Sequence, residues 1–339
     1  MVGIRDVARK AQVSPTTVSR LLNEDPTLQV SEQTRQRVLQ AVEQLNYDLK
    51  NYRIKQQRKP SIGVISTISR QAEQQDVYYQ QLRLGMELEA KRLHLGMNRI
   101  YNLSEDPKKW HDLDQLGAII VIGTVTQTVI TQLKAQNPHV IVVDNPDIKG
   151  EVDLVYADIE TTTHEILELF VAKGHQNLAY LGGYRLDLDA TGKAQVTSDE
   201  KRMRVFEAFR KKHAKALHMQ AYLGGWTQAE GKRLMQQILT TKPLPSAVLI
   251  ASDPLAIGAY QALEQTKLKI GQDIVLVSFD DLAQIATLNP SLTSVSVNAK
   301  ALGQSAVRLA LEWIDGSRSD YVKLIYPAKI IFRASFTNK

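Results

Sequence analysis

From Ser61 onward the chain alternates short apolar runs, rich in β-branched residues, with stretches whose apolar residues recur at helical spacing, and this alternation constrains the fold more than any other feature. The runs are Ile62–Ile65, Ala118–Ile122, Val140–Val143, Leu178–Leu181, Ala247–Ile250 and Ile274–Val277, with helical patterns such as Leu82–Leu93, Thr163–Ala172 and Leu255–Leu263 between them. Strands this continuously apolar are buried on both faces, as happens in parallel sheets covered by helices. The expectation is an α/β body of doubly wound parallel sheets. Ligands of such sheets bind off the C-terminal strand ends, where Asp144, Ser252, Asp280 and Asp281 follow apolar runs.

The first 60 residues have a different character. They carry 11 Lys/Arg against 6 Asp/Glu, a net of +5, whereas the remainder of the chain nets +1. A basic head on a near-neutral body points to a polyanion as partner of the head, with a merely solvated basic surface as the alternative. Ile4, Val7, Ala8 and Ala11 share one face of a first helix. Ser14 suits an N-cap and Pro15 the first position of a second helix, whose inward stripe is Val18, Leu21 and Leu22. Ser31 opens a third, with Val38, Val42 and Leu45 on one face.

Two short helices joined by a tight turn and backed by a third form the pattern whose second helix enters the DNA major groove. A three-helix module without DNA function is the alternative. The second helix offers Ser14, Pro15, Thr16, Thr17, Ser19 and Arg20: short hydroxyls for phosphates or base edges, and a guanidinium that can bridge guanine O6 and N7.

The run Ile4-Arg5-Asp6-Val7-Ala8-Arg9-Lys10-Ala11-Gln12-Val13-Ser14-Pro15-Thr16-Thr17-Val18-Ser19-Arg20-Leu21-Leu22-Asn23 resembles the N-terminal signature of the lactose/galactose repressor (LacI/GalR) family of bacterial transcription regulators. The resemblance implies that Pro15, Thr16 and Arg20 read operator bases; Arg5 and Lys55, cations of the basic first 60 residues, are further DNA-facing candidates. It also implies a fold: a helix-turn-helix head (1–46), a hinge (47–60) and an effector and dimerisation body (61–339). That body would be two subdomains like those of periplasmic sugar-binding proteins, one from 61–157 plus 297–320 and the other from 158–296 plus 321–336.

Family hinges fold on operator DNA and wedge a Leu into the minor groove. Ile54, eight residues before Ile62, takes that Leu's place, and Asn51-Tyr52-Arg53 replaces the small residues usual there in a slightly shorter segment.

In the body, the resemblance places Arg202 where the family grips sugar hydroxyls and Asp280 where it accepts from them. Ser252 takes an Asn/Ser position, Asp144 an acidic one across the cleft, and Trp226 the aromatic that stacks on a pyranose, with Tyr156 a second aromatic of that kind. Thr67 and the Tyr78-Tyr79 pair line loops of the first half. Neutral sugars are indeed held by carboxylates and Arg paired to vicinal hydroxyls and by aromatic rings. Trp226 also admits a nucleobase.

Enzyme motifs fail. Gly192-Lys193 is followed by Ala194 and lacks the earlier Gly of a phosphate loop, and His164-Glu165 lacks the second His of a zinc helix. The absence of Cys excludes disulfides and thiolate metal sites, and no apolar run reaches membrane-spanning length. The expectation is a cytosolic, non-enzymatic repressor with no cofactor. It would bind a near-palindromic, double-stranded operator as a homodimer and leave it on binding galactose or a galactoside, because Arg202, Trp226 and Asp280 together resemble the galactoside-responsive branch. Two alternatives remain at this point: a global carbon-catabolite regulator activated by a phosphocarrier protein, and an intracellular sugar-binding protein without DNA function.

Overall fold

In the computed structural model, which describes residues 3–22, 28–47, 61–107, 110 and 112–337, the second helix of the head starts at Ser14. Its Oγ accepts from the Thr17 backbone N–H at 3.0 Å, satisfying one of the amides that a helix start leaves without an intrahelical partner. The head holds α1 (Ile4–Ala11), α2 (Pro15–Leu22) and α3 (Glu32–Gln44). Gln12 adopts the left-handed conformation that closes α1 (φ 55°) and makes the turn tight, and Ser31 caps α3 through Thr34 N at 3.2 Å. Val7, Ala8, Ala11, Val18, Leu21, Leu22, Val38, Ala41 and Val42 form its buried core, the stripes that the spacing predicts.

Residues 1–59 and 60–339 are separate compact units. In the second unit β1 (Ser61–Ser66), β2 (Gly96–Asn102), β3 (Ala118–Ile122), β4 (Val140–Val143), β5 (Asp153–Ala157) and β13 (Lys323–Tyr326) form one parallel sheet, ordered β13-β5-β4-β3-β1-β2. The second sheet, ordered β14-β12-β11-β10-β6-β9, contains β6 (Asn177–Gly183), β9 (His218–Gly224), β10 (Ala247–Ile250), β11 (Val275–Phe279) and β12 (Thr293–Ser296), with β14 (Lys329–Ile331) antiparallel at its edge. The apolar runs read from sequence are central strands of these sheets, buried on both faces.

Helices cover both sheets: α5 (Val77–Arg92), α6 (Gln127–Gln136) and α11 (Ala299–Ile314) with the first, and α7 (Ile159–Ala172), α8 (Lys201–Lys212), α9 (Gln228–Ile238) and α10 (Asp253–Leu263) with the second, while α4 (Arg70–Gln75) lies largely exposed before α5. Gly85 on α5 and Gly303 on α11 allow close backbone approach, since a Cβ on either would overlap a carbonyl oxygen of the facing helix.

One boundary differs from expectation. Residues 321–336 do not all belong to the second subdomain, because Lys323–Tyr326 pairs in parallel with β5 of the first sheet and only the following β14 joins β12. The chain therefore passes between sheets after β5, after β12 and after β13. A hairpin of β7 (Arg185–Leu188) and β8 (Ala194–Thr197) leaves the second sheet and docks on the first subdomain, with Thr126 N donating to Leu188 O at 3.0 Å and Leu188 N to Thr124 O at 3.1 Å.

Candidate functional site: DNA-reading head and effector cleft

On the head, Ser14, Pro15 and Thr16 are exposed at the start of α2, Thr17, Ser19 and Arg20 are half-buried, and Arg5 is exposed on α1. Ser14 and Thr17 spend part of their hydrogen-bonding capacity on each other, their hydroxyls lying 2.8 Å apart. Val18, Leu21 and Leu22 turn inward and fix which face of α2 is presented. Ile54 and Lys55 lie outside the described residues.

In the body, residues after the strand ends of the two sheets come together: Lys201 Nζ donates to Asp144, and Asp280 and Arg202 lie near Tyr79. Thr67 follows β1 and is buried against Gly123, whose positive φ of 85° and lack of a Cβ leave room for the Thr67 hydroxyl. Asp76 caps α5, accepting from Tyr78 N at 2.9 Å, and so places Tyr78 and Tyr79 at the helix start. Asp144 ends β4 in the left-handed region (φ 63°). From the second subdomain come Ser252, at the N-cap of α10, and Asp280, which ends β11 with φ 105°. Two successive non-glycine residues with positive φ, Asp280 and Asp281, mark a strained loop of the kind concentrated at ligand sites. Asp281 itself turns away to pair with Arg333 at 2.6 Å, so the two acidic residues have separate roles.

Arg202 stands at the centre. Its Nε donates to Glu200 Oε1 at 3.0 Å and its Nη1 to Ala251 O at 2.5 Å, while the guanidinium lies over the rings of Trp226 and Phe279, 5.3 and 5.2 Å from their centroids. Trp226 is thus partly engaged: it faces Arg202, packs over Gly183 and donates its indole N–H to Tyr184 O at 2.9 Å. A sugar would meet only the ring surface these contacts leave. Tyr156 stands apart on β5, with Asp158 and Glu160 as its charged neighbours.

Electrostatics join the two halves. Burial, then Asp144, pushes the hydroxyls of Tyr78 and Tyr79 above their ordinary range; Asp280 adds to this and Arg202 opposes it at Tyr79. Burial, then Asp253, pushes the Asp280 carboxyl well up, against the pull of Arg202. Six buried side-chain polar atoms have no hydrogen-bond partner among the described residues, and two of them, Tyr78 Oη and Ser252 Oγ, lie beside Asp280 and Arg202. Such groups are costly unless a ligand or water satisfies them.

Asp76, Asn145, Glu200 and Lys201 were not expected in the site. Asp76 and Glu200 carried one readable signal, an acidic residue at a helix start. No cluster of three or more His, Asp or Glu able to hold a metal ion occurs among the described residues. Nor is any of their helices long and apolar enough to cross a membrane.

A helix-turn-helix head attached to a two-sheet body with a polar cleft at its strand ends defines the class of ligand-responsive transcription regulators. Residues 3–48 match the bacterial regulatory proteins of the lacI family, and residues 167–336 match the periplasmic binding protein-like domain. The chain belongs to the LacI/GalR family of bacterial transcription regulators. It is 31% identical to the HTH-type transcriptional repressor MelR of Bacillus subtilis (strain 168), covering 99% of this chain and 97% of that one. It is 29% identical to the regulator GalR of Lacticaseibacillus casei, with 99% of each chain covered. These relatives regulate transcription and are not enzymes. In fold it is similar to the lac repressor dimer bound to operator and the anti-inducer ONPF, with a TM-score of 0.69, 24% identity and 99% of each chain covered. It is likewise similar to the regulator CelR in complex with cellobiose, with a TM-score of 0.69, 19% identity, and 99% of this chain and 100% of that one covered.

Proposed function

We propose that the chain is a sugar-responsive repressor that binds a near-palindromic operator as a homodimer and releases it when galactose or a galactoside occupies the cleft. The observation that carries the sugar reading is that two buried hydroxyls beside Arg202 and Asp280, Tyr78 Oη from the first subdomain and Ser252 Oγ from the second, have no hydrogen-bond partner among the described residues. Donors and acceptors from both subdomains suit a ligand with hydroxyls on several sides. The charge balance favours an uncharged ligand, since Arg202 is already paired with Glu200 and Lys201 with Asp144, so neither cation is left over for an anionic group. The names of the GalR relative and of the cellobiose-bound CelR point the same way. For the dimer, Leu84 and Leu88 on α5 and Ile100 on the edge strand β2 offer apolar surface to a second copy.

Calorimetry with galactose, lactose, cellobiose, hypoxanthine and guanine tests the reading on wild type and Arg202→Ala. Galactose or lactose should bind wild type, and Arg202→Ala should keep operator binding while requiring far more sugar for release. If no sugar binds at millimolar concentration while a purine or a phosphocarrier protein does, the sugar reading fails and the regulator remains. Size-exclusion chromatography with light scattering tests the dimer, and a monomer at operator-binding concentrations refutes it.

A further inference from the structure

Lys201 is buried at the start of α8, its side chain 9% exposed. A lysine so far from water requires a charged partner held in good geometry. Its Nζ donates to Asp144 twice, to the backbone oxygen at 2.9 Å and to Oδ1 at 3.0 Å. These groups belong to opposite halves of the cleft: Asp144 ends β4 of the first sheet, and α8 packs on the second.

The pair is also next to the ligand space on both sides. Arg202 is the following residue of α8, and Asp144 lies close enough to Tyr78 and Tyr79 to push their hydroxyls up. The bond to Asp144 O further holds a non-glycine residue in the left-handed region, a conformation that persists only where its surroundings impose it. Three residues on, Asp147 pairs with Arg185 of the hairpin and with Arg204 of α8, the latter at 3.1 Å, so the loop after β4 meets cations of the second subdomain at a second point.

We propose that Lys201 is a positioning residue that sets the angle between the subdomains in the unliganded, operator-binding form, and that it couples this angle to effector occupancy because its carboxylate partner also lines the ligand site. Sugar hydroxyls that engage Asp144 and Arg202 act on the two ends of this tie. The inference rests on the effector-cleft reading above, but its first readout needs no ligand.

The chain has no cysteine, so Gln132→Cys on α6 and Gln236→Cys on α9, both exposed and on opposite subdomains, take two spin labels uniquely. Distances are measured on the full chain diluted with unlabelled protein, in wild type, Lys201→Met and Lys201→Arg backgrounds. The Met variant should shift the sugar-free distribution to longer distances and weaken operator binding in the absence of sugar. The Arg variant should restore both, which a general loss of stability would not explain. Should Lys201→Met fail to fold, Asp144→Asn removes the charge pair from the other side and carries the same expectation. Sugar-free distances equal to wild type's in the folded variant overturn the proposal even if galactose binds. If the distances widen but neither galactose nor lactose binds wild type, the tie is supported and the sugar reading alone falls.

Discussion

Glu200 and Arg202 form a two-residue clamp at the start of α8: Glu200 Oε1 lies 3.0 Å from Arg202 Nε and 2.8 Å from Nη2, while Oε2 accepts the backbone N–H of Arg202 at 2.9 Å. The same carboxylate accepts the Tyr180 hydroxyl at 3.0 Å. Burial pushes the Glu200 carboxyl up, but Arg202, Lys201 and Tyr180 outweigh this and hold it below the usual carboxylate range. Glu200 therefore caps the helix and aims the guanidinium with one group. Glu200→Ala should weaken binding of the effector sugar by about 1.5–3 kcal/mol, the worth of hydrogen bonds to a charged group, and leave sugar-free operator binding in place. Calorimetry beside an operator titration checks this, and unchanged sugar affinity would remove Glu200 from the aiming role.

Ser252 gives a prediction whose two parts have opposite signs. Its buried hydroxyl has no partner among the described residues, and such a group costs roughly 1–3 kcal/mol in the unliganded protein. Ser252→Ala should raise the Tm without sugar and reduce the increase in Tm that an effector sugar produces, because a ligand stabilises in proportion to its affinity for the folded state. A thermal-shift titration of both proteins reads the two effects together. An undiminished shift would place Ser252 outside the sugar's contacts.

The residues that were legible in sequence explain themselves physically. Ala118–Ile122 and Val140–Val143 are interior parallel strands, and burial on both faces made them uninterrupted apolar runs. Gly96–Asn102, His218–Gly224 and Lys323–Tyr326 are edge strands of the two sheets, and their mixed polarity left no such run. The hairpin Arg185–Thr197 was hidden for a related reason, since backbone bonds to Thr124 and Thr126 hold it and only Leu188, with Ala190 and Ala194 beside it, packs into the first subdomain's core, too few apolar residues to form a run. Asp280 and Arg202 were singled out through family resemblance, and the structure places them near one another. Lys201 was not singled out, because its burial depends on Asp144, 57 positions away in the chain.

The pH dependence of stability should carry the signature of Asp280. Burial and Asp253 raise its carboxyl well above the ordinary value of 3.8, and burial lifts Asp253 to about 6. The folded state then binds protons more tightly than the unfolded chain, so the stability this contributes is complete below the unfolded value and disappears as pH rises through the folded one. Relative to Asp280→Asn, wild type should lose stability as pH rises above the ordinary carboxylate value of about 4. Binding of an effector sugar should move the other way, strengthening with pH in wild type as the charged carboxylate forms and staying flatter in the Asn variant. Denaturant melts and calorimetry across that range test both slopes; parallel stability curves for the two proteins would contradict the raised carboxyl.

On the head, the question is which cations read sequence and which only hold the duplex. Arg20 is carried in the last turn of α2 with Leu21 and Leu22 buried beside it, so its backbone position is fixed by the head's core. A guanidinium placed against guanine O6 and N7 discriminates that base by about 1–3 kcal/mol. Lys55 belongs to the basic segment between head and body, and a lysine there would meet phosphates, whose contribution depends on released counterions and not on sequence. Arg20→Ala should therefore lower affinity for the operator far more than for random duplex and relax selectivity at one position. Lys55→Ala should weaken both duplexes alike and reduce the salt slope by about one counterion. Titrations of operator and random DNA at several salt concentrations separate the two behaviours. Equal losses on both duplexes for Arg20→Ala would assign it to the phosphate backbone and leave base reading to Pro15 and Thr16.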